Sequence, residues 1–365
     1  MIDPESERDA QTNLTHEDIC QLPHLERIPY VEHMRVRYPL WEQIYTKLHR
    51  CHQRKAIAAE PQCMFLVGPT GAGKTTLAAS YALKYPAIFT ETVTLRPVVM
   101  ATTPSPANVN NLIMVLLEAL GDPGATKGSI GARGRRLVRY FKESCKVELL
   151  ILDELQHFVD RDNQRILHNA SNWLKTFVKE TKVSCLFIGL QDDAEEVVNS
   201  NPQLARLFGD PYVLAPFEWD ETKADKTREV FRDFLREIEK LLPLKEPSYL
   251  AQYDTALRCF AASGGIVSYQ MKLVRAATTL ALERRLERLD LDLLSEAFKE
   301  ELAPHRRGIP DPFKGALPDL EEIKKIIRKF RGELIRFSER VPKRDRVYQL
   351  QVSFFPLDVE REGQK

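Results

Sequence analysis

The chain should fold as a parallel α/β sheet sandwiched between helices, with a smaller α-helical domain behind it. Three observations predict this. Gly68 to Thr75 reads G-P-T-G-A-G-K-T between the apolar run Cys63–Val67 and the helix-like stretch Leu77–Leu83. That is a P-loop with its strand before it and its helix after it. Apolar runs at 97–101, 149–153 and 183–190 alternate with helical periodicities at 108–120 and 169–179, the pattern of a three-layer parallel sheet. From Glu218 onward the strand signal gives way to helical spacing.

Taken in order, residues 1 to about 22 are polar and read as poorly ordered. Tyr38 to His49 repeats apolar residues at helical spacing, predicting a helix packed on the core. The run Pro97–Ala101 predicts a second strand. The helix from Asn108 to Leu120 is stopped by Gly121-Asp-Pro-Gly124. A basic stretch, Lys127 to Lys142, precedes an apolar strand that ends in Asp153-Glu154. Asn169 to Lys179 is helical and Val183–Leu190 is a further strand. The expected boundaries are an N-terminal arm and helix over 1–58, a nucleotide-binding core over 59–215, a helical domain over 216–304 and a basic tail over 305–365.

The P-loop residues Gly68, Pro69, Thr70, Gly71, Ala72, Gly73, Lys74, Thr75 and Thr76 define a nucleoside triphosphate site. Its glycines let backbone N–H groups and a helix N-terminus close around phosphates. Lys74 reaches the β- and γ-phosphates, and the Thr75 hydroxyl takes Mg²⁺. Hydrolysis also needs a group to hold the metal and one to aim a water. The strand Leu149–Asp153 ends at the C-terminal edge of the sheet, where Asp153 can hold Mg²⁺ through water. Glu154 is the expected general base. An acidic pair after a strand can also merely cap the next helix, but the P-loop upstream favours the catalytic reading.

Composition sets the class more loosely. A chain of 365 residues is long enough for two domains, and 43 % hydrophobic with 29 % charged residues is enough material for a core. No apolar stretch approaches a membrane span, and Met-Ile-Asp-Pro-Glu-Ser-Glu lacks the basic and apolar regions of a signal peptide, so a cytoplasmic location is expected. The cysteines at 20, 51, 63, 145, 185 and 259 are scattered, two of them within strand-like runs, and read as reduced core thiols. His49, Cys51 and His52 lie close together without a second ligand pair at zinc spacing. The net charge of +1 conceals basic clusters at Lys127, Arg133, Arg135, Arg136 and Arg139 and from Lys324 to Arg346. Such clusters are solvated faces or partners of phosphate backbones.

The Walker-type motifs, the further strand and the helical domain resemble AAA+ ATPases. Within that superfamily several stretches resemble the TniB and TnsC proteins that regulate transposition in Tn7-like and Tn5053-like elements. These are Asp153-Glu-Leu-Gln-His157, Trp173-Leu-Lys-Thr-Phe177 leading into Phe187-Ile-Gly189, Asn201-Pro-Gln-Leu-Ala-Arg-Leu-Phe208, Leu241-Leu-Pro-Leu244 and Pro310-Asp-Pro-Phe313. The likeness runs from about residue 25 to about residue 315.

The resemblance implies a bacterial, nucleoid-associated ATPase that uses ATP and Mg²⁺, is weak alone, and is stimulated by DNA or partners. It implies a homo-oligomeric ring or filament on double-stranded DNA, without sequence preference. It also implies a TnsB-like or TnsAB-like transposase and a TniQ-like or TnsD-like targeting protein as partners, and no membrane. Arg206 would be the arginine that acts on the neighbour's nucleotide, or else a surface arginine capping a helix. Gln191 occupies the place of a residue that orients the water. The stretch holding Thr126, Lys127, Arg133 and Arg135 would follow DNA phosphates, or is an exposed loop. Ile266 and Val267 stand where many such proteins carry a nucleotide-sensing arginine, displaced here to Arg275 or absent. In the tail, Leu320, Ile323, Ile327, Phe330, Leu334 and Phe337 share one helical face that recruits a partner or packs as an ordinary helix. A replication-type helicase loader and a signalling switch that never touches DNA are the competing functions.

Overall fold

The computed structural model describes residues 14–54, 60–91, 93–105, 107–158, 164–190, 206–219, 226–306, 309–317 and 325. In chain order, α1 (His16–Gln21), α2 (Ile28–His33) and α3 (Pro39–Arg54) precede β1 (Cys63–Val67) and α4 (Lys74–Ala82). Next come β2 (Ile88–Phe89), β3 (Thr94–Leu95), β4 (Val98–Thr102), α5 (Val109–Ala119), α6 (Ile130–Arg139), β5 (Leu149–Asp153), α7 (Gln164–Thr181), β6 (Ser184–Gly189) and β7 (Tyr212–Val213). The helices α8 (Lys226–Glu239), α9 (Tyr253–Ser263), α10 (Val267–Glu283) and α11 (Leu291–Ala297) follow. The chain divides into two compact units, Pro39–Ala215 and a second formed by Met1–Tyr38 with Pro216–Lys365.

The first unit is built on a five-stranded parallel sheet in the order β4-β5-β6-β1-β7. Strands β1, β5 and β6 are buried along their whole length, as expected where both faces of a parallel sheet are covered. Val99, Leu150, Cys185 and Cys63 lie in register across the sheet and join Phe65, Leu152 and Phe187 in a core with α5, α6 and α7. The alternate residues Met64, Leu66, Leu186 and Ile188 are buried as well, and α3 packs on β1 and β6 through a stripe of Trp41, Ile44, Tyr45 and Leu48. His49, next to that stripe, lies within hydrogen-bonding distance of Tyr81 and Tyr85, and His52 within reach of Tyr81 and Glu148. All six cysteines are free and buried. Burial pushes the Cys51 thiol up to about 12, so it stays protonated and unreactive at neutral pH.

The second unit is helical among its described residues. His16 to Gln21 is helical, which corrects the expectation of poor order for that part of the start; residues 1–13 lie outside the described residues. Thr15 and Asp18 form a capping box at α1, His16 Nε2 meets the Leu242 carbonyl at 2.8 Å, and Cys20 is buried. The anchor is Arg27, only 1 % exposed, which donates to the carbonyls of Leu22 and Pro243 and to Glu287 at 2.9 Å. Pro310-Asp-Pro-Phe313, expected in the tail, packs here too: Arg258 donates to the Pro312 and Gly315 carbonyls, and Phe313 is buried.

Arg27→Ala removes one half of a largely buried ion pair and leaves two carbonyls without their donor. We expect a loss of about 3 kcal/mol, read by urea denaturation. Glu287 carries the same contribution into pH dependence. Burial raises its pKa, yet the bonds from Arg27 and the Lys245 N–H with the charges of Arg27 and His24 outweigh this and hold it below its ordinary 4.5. The contribution is therefore complete above pH 4.5 and is lost as pH falls through the lower folded value.

Candidate nucleotide site

The C-terminal edge of the sheet collects the site. Val67 runs into Gly68, which is sandwiched against the next strand: a Cβ there would lie 2.4 Å from the Leu214 carbonyl oxygen. Only glycine lets the loop leave β1 at this point, because the Leu214 N–H donates to Val67 O at 2.8 Å and fixes that approach. Gly73, at φ 94°, holds the left-handed turn that starts α4. The first-turn N–H groups of α4, which have no acceptor within the helix, therefore open onto the loop.

Side chains then meet across β1 and β5. The Thr75 hydroxyl donates to Asp153 Oδ2 at 2.6 Å. Asp153 is 3 % exposed, and its other oxygen accepts the Glu154 N–H at 2.8 Å. Lys74 donates to the Gly68 and Pro69 carbonyls at 2.7 and 2.9 Å. Burial pushes the Lys74 ammonium below its ordinary value, while the nearby carboxylates of Asp153 and Glu154 pull it back. Glu154 has a left-handed backbone, φ 56°, which a non-glycine residue adopts only when its surroundings compel it. Gln156 donates to its Oε2. Beside them, Thr103 at the end of β4 donates its N–H to the Asp153 carbonyl and accepts from His157 Nδ1 at 2.8 Å. Gln156, Thr103 and His157 had no assigned role in the sequence; the position of Gln156 two residues past Glu154 was the available signal.

The other predicted residues are placed as follows. Arg206 is exposed on a turn. The next carbonyl, Leu207 O, accepts the Cys63 N–H at 3.0 Å, and Phe208 bridges to Cys63. Arg206 thus lies at the N-terminal edge of the sheet, the far end of β1 from the P-loop. Five strand residues separate the two edges by about 15 Å. Thr126, Lys127 and Arg135 are exposed.

Arg133 is not: it is 8 % exposed on α6 and donates to Asn110. The expected loop is helical from Ile130, capped by Ser129. Arg133 is withdrawn from the set of DNA contacts, because burial against α5 occupies it. Arg136 ties the preceding turn to α6 through Asp122 at 2.7 Å and the Gly124 carbonyl. Arg275 donates to Met34 O at 2.9 Å inside the helical unit. Gln191 and the apolar tail face lie outside the described residues.

A parallel sheet in this strand order, a P-loop at the edge of its β1 and an Asp-Glu end on β5, together with a helical unit, define the P-loop AAA+ fold. The chain belongs to the family described as bacterial TniB protein, which matches residues 27–219. None of the curated proteins compared matches it. Among solved structures it is similar to the Aeropyrum pernix ORC1 protein in complex with DNA, at 18 % identity and TM-score 0.52, covering 77 % of this chain and 68 % of that one. The A. pernix ORC2 protein in its ADPNP-ADP complexes matches at 17 % identity and TM-score 0.53, over 71 % and 67 %. Cdc6p from Pyrobaculum aerophilum matches at 16 % and 0.52, over 81 % and 86 %. At these identities the likeness is one of fold. No helix among the described residues is long and apolar enough to cross a membrane.

Proposed function

We propose that the chain is an ATPase that assembles on DNA and regulates transposition, linking a targeting protein to a transposase. The observation that carries the nucleotide half is the joining of Thr75, Asp153 and Lys74 at one sheet edge. The Thr75 hydroxyl and Asp153 carboxylate are hard oxygen donors, which suit Mg²⁺. Held there, the ion would neutralise negative charge on the triphosphate. Lys74 binds the same phosphates, Glu154 removes the proton of the attacking water, and Arg206 of one subunit serves the nucleotide of the next. The nucleotide complex of the similar ORC2 structure supports the cofactor.

Membership of the TniB family supports the transposition role, and the DNA complex of the similar ORC1 structure supports a DNA partner. On this chain the favoured face is the exposed basic stripe of Lys127, Arg135 and Arg139 with Gly131 between them. The Arg136 tether holds Lys127 at the start of that stripe. Electron microscopy with a long duplex tests the reading: rings or filaments form with ATP and are lost with ADP or in Lys74→Ala. Bare DNA in every condition would favour the signalling switch. In the same system Lys127→Ala and Arg135→Ala should each lower the salt slope of DNA affinity by about 1, whatever the DNA sequence.

A further inference from the structure

The turn after β5 sits directly on the end of β6. At Gly189, the last residue of β6, an added Cβ would lie 3.3 Å from Gln156 Oε1, 3.6 Å from Leu155 Cβ and 3.8 Å from the Gln156 backbone nitrogen. Leu155 is buried in the core of the sheet and fixes the turn there. A carboxylate only accepts, so Gln156 turns Nε2 toward Glu154 Oε2, which leaves Oε1 on the side of Gly189. Oε1 is shielded from solvent and has no hydrogen-bond partner among the described residues. Turning the amide over would set Oε1 against a carboxylate oxygen, acceptor against acceptor. The bond to Glu154 therefore selects an orientation with a buried, unpaired acceptor, and a bond to a carboxylate is the stronger kind. Filling the turn alone would be done better by an apolar side chain of the same shape.

We propose that Gln156 is a positioning residue for Glu154, with Gly189 as the seat that keeps its amide in place; this rests on the ATPase reading above. Gln156 acts through Glu154 and not on the water. The glutamate is then held at both ends. Its backbone stands in the left-handed region at φ 56°, and its carboxylate is bonded by the side chain two residues on. Only Oε2 is engaged; Glu154 Oε1 has no hydrogen-bond partner among the described residues. Two carboxylate oxygens offer about four lone-pair sites, so one amide N–H steadies the group and leaves sites for the proton it takes from water. A general base works only within hydrogen-bond reach of that proton, and a base oriented by a third group is the arrangement that secures this reach.

The test uses full-length Gln156→Glu and Gln156→Leu. The first keeps the shape and donates only when its own carboxyl carries a proton; the second keeps the bulk and never donates. Phosphate release is measured on DNA with saturating ATP from about pH 8 down to about pH 6, where a pair of adjacent carboxyls shares a proton, beside the affinity for a fluorescent ATP analogue and the thermal midpoint. The expected result at the upper pH is a kcat about 10- to 10²-fold below wild type, with affinity and midpoint kept. Relative to wild type, Gln156→Glu should recover as pH falls and Gln156→Leu should not. Should the leucine variant not fold, the recovery of Gln156→Glu decides alone. An unchanged kcat overturns the proposal, as does a raised kcat, which would make Gln156 a restraint on Glu154. A fall that tracks lost affinity or a lowered midpoint, or a Gln156→Glu that does not recover, overturns it by showing a structural role. Wild-type protein that releases no more phosphate than Lys74→Ala removes the ATPase reading itself, a result separable from all of these.

Discussion

Glu154→Gln should cut ATP hydrolysis by about 10²- to 10⁴-fold while leaving ATP binding intact. Phosphate release against binding of a fluorescent nucleotide reads the two effects separately. The expectation follows from how β5 ends. Asp153 is buried, and both of its oxygens are already engaged, one by the Thr75 hydroxyl and one by the Glu154 N–H. Glu154 follows in a left-handed turn, and its carboxylate accepts from Gln156 instead of from Thr75. The amide in Glu154→Gln keeps the size and the assembly but cannot take a proton. On DNA the variant should therefore form the ATP-bound assembly and fail to leave it. Equal hydrolysis by variant and wild type would show that another group activates the water.

Arg206→Ala should lose about 10³-fold in kcat of the assembled protein, with each subunit still binding ATP. Its place at the sheet edge opposite the P-loop leaves it too far to serve its own phosphates, so the proposed role is one toward a neighbour's site. Mixing gives the decisive measurement. Arg206→Ala subunits retain Glu154, and Glu154→Gln subunits retain Arg206, so a mixture forms some interfaces with both groups intact. Two nearly inactive proteins should then recover activity together, up to about a quarter of wild type if they assemble at random. No recovery would place Arg206 outside the site.

The strands that hold the site were legible because β1, β5 and β6 are five or six residues long and buried on both faces, which imposes a run of four or five consecutive apolar residues. The strands β2, β3 and β7 are two residues each, too short to leave a period. Helix α6 was hidden by its own charge: its buried residues are Leu137 and Arg133, so the apolar stripe is reduced to one position. Arg133 was misread for the same reason, since a guanidinium in a basic run carries no mark of the Asn110 it will meet. Order near the N-terminus depends on Leu242, Pro243 and Glu287, more than two hundred residues away, and no local pattern reports that. In the site, Lys74, Thr75, Asp153 and Glu154 were legible from spacing. The backbone turn at Glu154 and the direction of the Gln156 amide were not, because they follow from the packing of β6 against the turn after β5.

Separating Arg206 from the P-loop by the length of a strand gives any assembly built on that contact a direction. Each subunit then offers a nucleotide on one side and an arginine on the other, and such head-to-tail contacts need not close. In an open row, the terminal subunit whose nucleotide meets no arginine keeps its ATP, while every interior nucleotide can be spent. One terminus would stay competent for growth as the interior ages toward ADP, so the age of the row could be read along its length and its two tips would present different chemistry to whatever meets them.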